Sequence, residues 1–160
     1  METTAAKIVS RPEATARVRA WRQAGRTVVF TNGCFDLLHL GHVDYLEQAR
    51  HLGDILIVGL NTDESVGRFK GPDRPIQDEQ SRARILAALH FVDLVVLFNE
   101  DTPLDLISSV LPDILVKGND YLAENIVGAD VVKQHGGSVK TIPLVPGYST
   151  TKIVEKIKRT

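Results

Sequence analysis

Two histidines with a glycine between them, in the segment HLGH at 39–42, are the side chains of this sequence best suited to chemistry on a phosphate. An apolar run and the Asn32-Gly33 turn pair precede them, so we expect His39 and His42 at the start of a helix that follows a buried strand. A spacing of three residues puts both imidazoles on one face of that helix. The free amides and positive dipole end of a helix start favour an anion at the same place.

The chemistry that suits such a pair is attack by one phosphate on the α-phosphate of a nucleotide. The attacking phosphate is already an anion and needs no general base, whereas the transition state needs hydrogen-bond donors around a phosphorus that gains negative charge. Zinc binding is the alternative for a histidine pair, but only Asp36 stands nearby as a further ligand. The neighbouring Cys34 is interpreted as a small apolar side chain.

Three further polar segments are candidates for contact with phosphates. Lys70 lies in a glycine- and proline-rich stretch, RFKGPDRP, which is expected to form a loop that closes over a triphosphate. Lys117 directly follows an apolar strand, and Ser149, Thr150 and Thr151 open the last helix, where hydroxyl and amide donors converge. Each has a plainer interpretation as well. Lys70 would be a solvated loop charge, Lys117 a strand-end lysine, and the three hydroxyls a helix N-cap.

Strand-like and helix-like segments alternate along the chain, which predicts a Rossmann-like, doubly wound α/β fold with a five-stranded parallel sheet and helices on both faces. The apolar runs predict strands at 27–31, 55–60, 94–98, 114–116 and 139–142. Helices are predicted at 10–25, 42–52, 79–91, 103–111, 125–135 and 149–158, and 61–77 as a long loop with room for one helical turn. In the helix 79–91, Ile85, Leu86 and Leu89 are expected to face the core. Ligands of such sheets bind at the carboxyl ends of the strands, near a switch in strand order.

Length and charge narrow the class of protein. A chain of 160 residues suits a single domain, with an N-terminal helix at 10–25 and a catalytic core over 26–160. Nineteen basic residues against twenty acidic ones give no electrostatic reason to expect nucleic acid or a membrane surface as partner. A single cysteine and a start unlike a secretory signal favour a cytoplasmic location.

The motif HxGH after such a strand resembles the cytidylyltransferase-like branch of the nucleotidyltransferases. The similarity runs through nearly the whole chain, in the segments TNGCFDLLHLGHVDYLEQARHLGD, RFKGPDRPI, EDTP, PDILVKGNDY and GYSTTKIVEKI. Within that branch, EDTP, LVKG-x-DY and RPI are similar to the heptose 1-phosphate adenylyltransferases. The resemblance implies transfer of AMP from ATP to D-glycero-D-manno-heptose 1-phosphate, which gives ADP-heptose and pyrophosphate for lipopolysaccharide core biosynthesis. It also implies Mg²⁺ bound through the triphosphate, with no ligand from the protein.

The same resemblance implies a role for each matching residue. His39, His42 and Lys70 would be catalytic, and Asp36, Arg82 and Lys117 would contact the sugar phosphate. The residues implied to bind the nucleotide are Thr31, Asn32, Gly33, Phe35, Gly41, Gly118, Asn119, Asp120, Tyr148, Ser149, Thr150 and Thr151. The family usually has a glycine where this chain has Asn119. Small members of the superfamily form homo-oligomers, so a homodimer is expected.

Three other functions compete with this one. A cytidylyltransferase for glycerol 3-phosphate or a similar alcohol phosphate fits the segment GYSTTK, but its R-T-E prefix is replaced here by Leu144-Val145-Pro146. A regulatory module that binds a nucleotide without turnover is disfavoured by the presence of both histidines and the lysine. A fragment of an aminoacyl-tRNA synthetase is disfavoured by the short chain, the lack of a KMSKS-like loop and the balanced charge.

Overall fold

The computed structural model describes all residues, 1–160, around a five-stranded sheet in which every neighbouring pair of strands is parallel. The order across the sheet is β3-β2-β1-β4-β5. The strands are β1 (Val28–Gly33), β2 (Ile55–Asn61), β3 (Leu94–Phe98), β4 (Ile114–Gly118) and β5 (Ser138–Ile142). The predicted Rossmann-like fold and its five parallel strands are confirmed.

Seven α-helices connect and follow the strands, with two short 3₁₀ helices at Thr4–Lys7 and Ala123–Asn125. The α-helices are α1 (Arg11–Gln23), α2 (Leu40–His51), α3 (Asp63–Lys70), α4 (Glu79–Ala88), α5 (Leu104–Val110), α6 (Ala129–Gln134) and α7 (Thr150–Lys158). None of these helices has the length and apolar character that crossing a bilayer requires.

The switch in strand order lies between β1 and β4. The chain runs outwards from β1 to β2 and β3, then returns to build β4 and β5 on the other side of β1. β1 and β4 pair only through Val29 with Ile114 and Phe30 with Leu115. Their last residues, up to Gly33 and Gly118, therefore flank a crevice at the carboxyl edge of the sheet, where ligands of such folds bind.

Alternating side chains of the central strands fill two separate cores, one on each face of the sheet. Val28 and Phe30 of β1 pack with α1, α5 and α6, whereas Val29 packs with α2 and α4. This alternation follows from the two-residue period of a strand. Each fully buried side chain of this size contributes about 1.5–3 kcal/mol relative to an exposed one, so the sheet is a firm support for the loops at its edge.

The first helix begins and ends where the sequence indicates. The Ser10 hydroxyl accepts a hydrogen bond from the amide of Glu13, 3.3 Å away, and so caps α1. Gly25 adopts φ +75°, a left-handed conformation that suits glycine just after a helix.

The segment 61–77 departs most from the prediction of a long loop, because α3 occupies two full turns of it. Thr62 caps this helix by accepting a hydrogen bond from the amide of Ser65 at 3.2 Å. Gly67 lies inside the helix, and Gly71 with φ +101° ends it. The glycines indicate a loop, but the cap and the tertiary contacts outweigh them.

Two other helices differ from their predicted form. In α4 the buried residues are Arg82, Ala83, Leu86 and Ala87, whereas Ile85, which was expected to face the core, is 38% exposed. The predicted helix over 125–135 is shorter in the structure, since the 3₁₀ turn ends at Asn125 and α6 begins only at Ala129, after Gly128 with φ +86°.

Candidate active site

A cavity of about 340 Å³ opens at the switch point between β1 and β4. Most of the residues expected to act on the substrates line it, together with five that the sequence did not single out. The lining residues are Asn32, Gly33, Cys34, Phe35, Asp36, His39, Gly41, His42, Tyr45, Lys70, Arg74, Lys117, Gly118, Asp120, Leu144, Val145, Tyr148, Ser149, Thr150 and Thr151.

The two histidines lie side by side at the start of α2. His39 is the N-cap residue in extended conformation, and His42 belongs to the first turn. Their rings stack with centroids 3.8 Å apart and an interplanar angle of 21°. A Cβ at Gly41 would come within 3.0 Å of the His39 ring, so glycine permits this stacking.

Several polar atoms at this helix start have no partner in the protein. The Nδ1 atoms of His39 and His42 are both buried without a hydrogen bond. The backbone amides of Leu40 and Gly41 also donate to no protein acceptor. Buried polar atoms are nearly always hydrogen-bonded, so this cluster is suited to an anionic ligand.

A lowered pKa favours the neutral form of both imidazoles. Burial lowers the pKa of His42 from 6.5 to about 4, with a smaller effect from the neighbouring His39 and Lys70. Burial also lowers the pKa of His39. A neutral imidazole keeps one N–H, so each ring can donate one hydrogen bond to a phosphoryl oxygen.

Two predicted lysines approach the cavity from opposite sides of the switch point. Lys70 is the last residue of α3 and forms no ion pair. Lys117 lies on β4, where its Nζ donates to the carbonyl oxygen of Asn32 at 3.3 Å and lies 5.2 Å from the centroid of the Tyr121 ring. Burial lowers the pKa of Lys117, which indicates that an anion bound there would meet a poorly solvated charge.

The hydroxyls at the start of α7 differ in what they already bind. Ser149 caps the helix, since its Oγ accepts from the amide of Lys152 at 3.1 Å and its own hydrogen stays free. The hydroxyl of Thr150 donates to the carbonyl oxygen of Leu37 at 3.0 Å. Thr151 is exposed, and its hydroxyl has no partner in the protein. Ser149 and Thr151 therefore have donors to spare, whereas Thr150 ties α7 to the loop after β1.

Asp36 lines the cavity, but its carboxylate is already occupied. It accepts hydrogen bonds from the amides of Ile76 and Gln77 at 2.8–3.0 Å and from Nε of Arg74 at 2.9 Å. Burial favours a higher pKa for Asp36, but these hydrogen bonds together with the Arg74 charge hold it below its usual value. Asp36 therefore anchors the loop after α3, and its predicted contact with the sugar phosphate stays a prediction.

Three of the residues expected at the site lie outside the cavity. Arg82 is 1% exposed, and its guanidinium donates to the carbonyl oxygens of Cys34, Asn61 and Gln77 and to the carboxylate of Asp63. Four of its five N–H groups are hydrogen-bonded within the protein, so Arg82 lies beneath the site and ties these segments together, and its predicted contact with the sugar phosphate stays a prediction.

Thr31 and Asn119 are the other two. The Thr31 hydroxyl is fully buried between Tyr45 Oη at 2.7 Å and the carbonyl oxygen of Val116 at 3.0 Å, so it is already hydrogen-bonded within the protein, and its predicted contact with the nucleotide stays a prediction. Asn119 Oδ1 accepts from the amide of Leu144 at 3.4 Å. It fastens the loop after β5, which does line the cavity.

The five residues that were missed carry weak sequence signals. Tyr45 follows His42 by three positions on the same helix, and Arg74 follows Lys70 by four. Leu144 and Val145 come directly after β5, at the edge where ligands of this fold bind. Cys34 is buried as expected, and burial raises the pKa of its thiol.

Comparison with known proteins agrees with this geometry. Residues 30–156 match the family model described as cytidylyltransferase-like. The chain is 62% identical over 136 residues to the bifunctional protein HldE of Syntrophotalea carbinolica, covering 85% of this chain and 28% of that protein. It is 56% identical over 164 residues to the bifunctional protein HldE of Azorhizobium caulinodans, covering 99% of this chain and 34% of that protein. The chain thus spans about a third of the length of these curated relatives.

Two solved structures resemble the fold. The lipopolysaccharide core biosynthesis protein from Thermoplasma volcanium is 34% identical with a TM-score of 0.60, over 76% of this chain and 98% of that one. The pantoate-β-alanine ligase of Francisella tularensis, in complex with an ATP ligand and β-alanine, has a TM-score of 0.60 at 15% identity, over 96% of this chain and 78% of that one. The second likeness concerns the fold alone. The match to the family model and the first structure together show that this chain belongs to the cytidylyltransferase-like family.

Proposed function

We propose that this chain is an adenylyltransferase that transfers AMP from ATP to D-glycero-D-manno-heptose 1-phosphate and releases ADP-heptose and pyrophosphate. The observation that carries the reaction type is the stacked pair His39 and His42, whose unpartnered nitrogens lie at a helix start in the switch-point cavity. The heptose acceptor is supported by the segments EDTP, LVKG-x-DY and RPI. It is also supported by the similarity to proteins named bifunctional HldE and to a lipopolysaccharide core biosynthesis protein.

The proposed reaction is a direct displacement at the α-phosphorus of ATP. An oxygen of the sugar phosphate forms a new bond to that phosphorus, and the bond to the β-phosphate oxygen breaks, so pyrophosphate leaves. His39, His42 and the amides of Leu40 and Gly41 would donate hydrogen bonds to the α-phosphoryl oxygens as negative charge builds up there. No covalent intermediate and no general base are required.

The other lining residues divide between the two substrates. Lys70, Ser149 and Thr151 would hold the outer phosphates of ATP, because all three line the cavity and the hydroxyls of Ser149 and Thr151 have donors to spare. Lys117, across the switch point, would hold the acceptor phosphate. The nucleoside would lie along the ends of β1 and β4, near the residues Asn32, Gly33, Phe35, Gly118, Asp120 and Tyr148.

Magnesium is proposed to enter as the complex with ATP. No three His, Cys, Asp or Glu side chains lie together as a metal-binding group, and the Asp36 carboxylate is used by the loop after α3. The cation would be held by phosphate oxygens and would neutralise charge on the departing pyrophosphate.

A homodimer in the cytoplasm is also proposed. Apolar side chains near the cavity mouth are about half exposed, among them Tyr121, Leu144 and Tyr148, and a second copy could cover them. The single cysteine is compatible with a reducing compartment. Light scattering at micromolar concentration should give the mass of a dimer, and a monomeric mass contradicts this part of the proposal.

The decisive experiment measures pyrophosphate release with each of the four nucleoside triphosphates against a panel of sugar and polyol phosphates. ATP with the heptose 1-phosphate should be the fastest pair, and chelation of Mg²⁺ should abolish release. Faster turnover of CTP with glycerol 3-phosphate overturns the heptose assignment. Nucleotide binding without release from any pair indicates a regulatory module instead.

A further inference from the structure

One cation of the cavity has no role in the scheme above. Arg74 lines the cavity, and its side chain is 16% exposed. Its Nε donates to Asp36 Oδ2 at 2.9 Å, and this is the only hydrogen bond that the guanidinium makes within the protein. Nη1 and Nη2 make no hydrogen bond within the protein and are not fully buried, and Arg74 is one of the residues that line the cavity, so these donors are available to a ligand there.

Asp36 holds the guanidinium in a fixed orientation. Its side chain is 1% exposed, and it is itself fixed by the amides of Ile76 and Gln77 on the loop that carries Arg74. The side-chain amide of Gln77 also donates to the backbone oxygen of Asp36 at 2.7 Å. Because Nε is committed to this anchor, the remaining nitrogens form a rigid planar fork, the shape that binds two oxygens of a phosphoryl group.

The position of Arg74 indicates which phosphoryl group it meets. Lys70 and Arg74 come from the same segment, the end of α3 and the loop after it, so two cations stand on one wall of the cavity. Both act on the Cys34 thiol, where they partly offset the rise in its pKa that burial causes. Lys117 stands alone on the β4 side. The wall with two cations suits the more highly charged ligand, which is the triphosphate.

We propose that Arg74 binds the β- and γ-phosphoryl oxygens that leave as pyrophosphate, and that Asp36 is a positioning residue that orients it. This inference rests on the proposed function, since it assigns a ligand within the same cavity. It adds a residue that was not predicted at the site and explains why the Asp36 carboxylate is buried beside a cavity for anions.

The test is calorimetric binding of Mg-ATP, Mg-pyrophosphate and AMP without any acceptor, to wild type, Arg74→Gln and Arg74→Lys. Arg74→Gln should weaken ATP and pyrophosphate binding by about 10–100-fold, the loss of hydrogen bonds to a charged group, and leave AMP binding unchanged. Arg74→Lys keeps the charge without the fork and should recover only part of the affinity. Arg84→Gln, an exposed arginine outside the cavity, is the matched control and should bind like wild type.

The outcomes separate this inference from the proposed function. Wild type that binds no nucleotide overturns the proposed function and this inference with it. If wild type binds Mg-ATP, and Arg74→Gln binds Mg-pyrophosphate as tightly as wild type does, only the inference about Arg74 is overturned. If Arg74→Gln binds ATP normally but has a higher KM for the sugar phosphate, Arg74 contacts the acceptor, and the inference is also overturned.

The positioning role of Asp36 is tested by a double-mutant cycle on pyrophosphate binding. Asp36→Asn alone should weaken binding, but in the Arg74→Gln background it should cause no further loss, because it acts through Arg74. Equal losses in both backgrounds contradict this role. Thermal unfolding of each variant checks that the comparison is made on folded protein. If Asp36→Asn does not fold, the comparison of Arg74→Lys with wild type still tests the role of the guanidinium fork.

Discussion

The start of α2 and the surroundings of Arg82 lie close together at the carboxyl edge of the sheet, yet they treat polar atoms in opposite ways. At the helix start, the Nδ1 atoms of both histidines and two backbone amides have no partner. Arg82 is more deeply buried, and its guanidinium makes four hydrogen bonds within the protein. Donors that the fold leaves free are available to a ligand, whereas saturated ones stabilise the protein.

This contrast divides the site residues implied by the family resemblance into two groups, those with free hydrogen-bond donors and those whose donors are already used within the protein. Substitution of a free donor should cost activity and little stability, and substitution of a saturated one should do the reverse. Each of the following variants tests one side of that division.

The largest effect is expected for Arg82→Met, which should lower the free energy of unfolding by about 3–5 kcal/mol, as for the loss of one partner of a buried charged network. The carbonyl oxygens of Cys34 and Asn61 would lose their donor, and Asp63, which is partly exposed, would lose its counter-ion. Urea unfolding followed by circular dichroism measures this. Arg84→Met on the exposed face of α4 is the control and should change stability little.

Arg82→Met also tests whether this guanidinium contacts substrate. If Arg82→Met keeps its stability and instead raises KM for the sugar phosphate, the guanidinium contacts substrate and the saturated hydrogen bonds do not describe its role.

The next effect is expected for His42→Ala on the opposite side of the division. Loss of one donor to the transition state typically reduces kcat by about 10²–10³, while the affinity for ATP and the melting temperature should change much less. His90→Ala, an exposed histidine outside the cavity, should leave kcat unchanged. If His42→Ala binds ATP weakly but turns over normally at saturating ATP, His42 is a ground-state contact only.

The sequence predicts the placement of the histidine pair better than it predicts the surroundings of Arg82. A strand, a turn pair and HxGH are contiguous, so local spacing alone brings His39 and His42 to a helix start after β1. The environment of Arg82 is assembled from three separate loops, at Cys34, Asn61 and Gln77. No local pattern in the sequence predicts that these carbonyl oxygens converge on Arg82, so the sequence alone does not reveal its hydrogen bonds within the protein.

The same reason explains the error over 61–77 and the omission of Arg74. Glycines and prolines in that stretch indicate a loop by propensity, but Thr62 caps α3 and the helix packs against the edge of the sheet. Arg74 becomes visible only when the chain folds back to place it against Asp36, 38 positions earlier. Alternation of strands and helices, by contrast, is readable along the chain, and the fold follows from it.

A pH dependence of stability should come from the histidine pair. The pKa of His42 in the folded protein is about 4, below its ordinary 6.5. Between these values the unfolded chain binds a proton that the folded protein does not, so the free energy of unfolding falls as pH falls from 6.5 towards 4. At 1.36 kcal/mol for each pKa unit, the effect is on the order of 1–3 kcal/mol.

Urea unfolding at pH 7 and pH 4.5 measures this dependence. His42→Gln should lose less stability than wild type over that interval, because it has no proton to gain on unfolding. The exposed His90→Gln is the control and should follow the wild-type curve. Identical curves for wild type and His42→Gln would show that the pair is as well solvated as in the unfolded chain.

A small difference is expected between two neighbouring hydroxyls in the first turn of α7. The hydroxyl of Thr150 donates to Leu37 and cannot donate to a phosphate at the same time, whereas that of Thr151 is free. Thr150→Val keeps the branched shape and removes the hydrogen bond, so it should lower the free energy of unfolding by about 1 kcal/mol and leave ATP affinity near normal. Thr151→Val should leave stability unchanged and weaken ATP binding, with little change for AMP, because AMP lacks the outer phosphates. Melting curves and calorimetric titrations of both variants give the four values.

If Thr150→Val weakens ATP binding more than Thr151→Val does, the Thr150 hydroxyl must exchange Leu37 for a phosphate when ATP binds. Hydrogen bonds within the protein would then be a poor guide to which donors a ligand can recruit, and the division drawn between the histidine pair and Arg82 would not extend to α7.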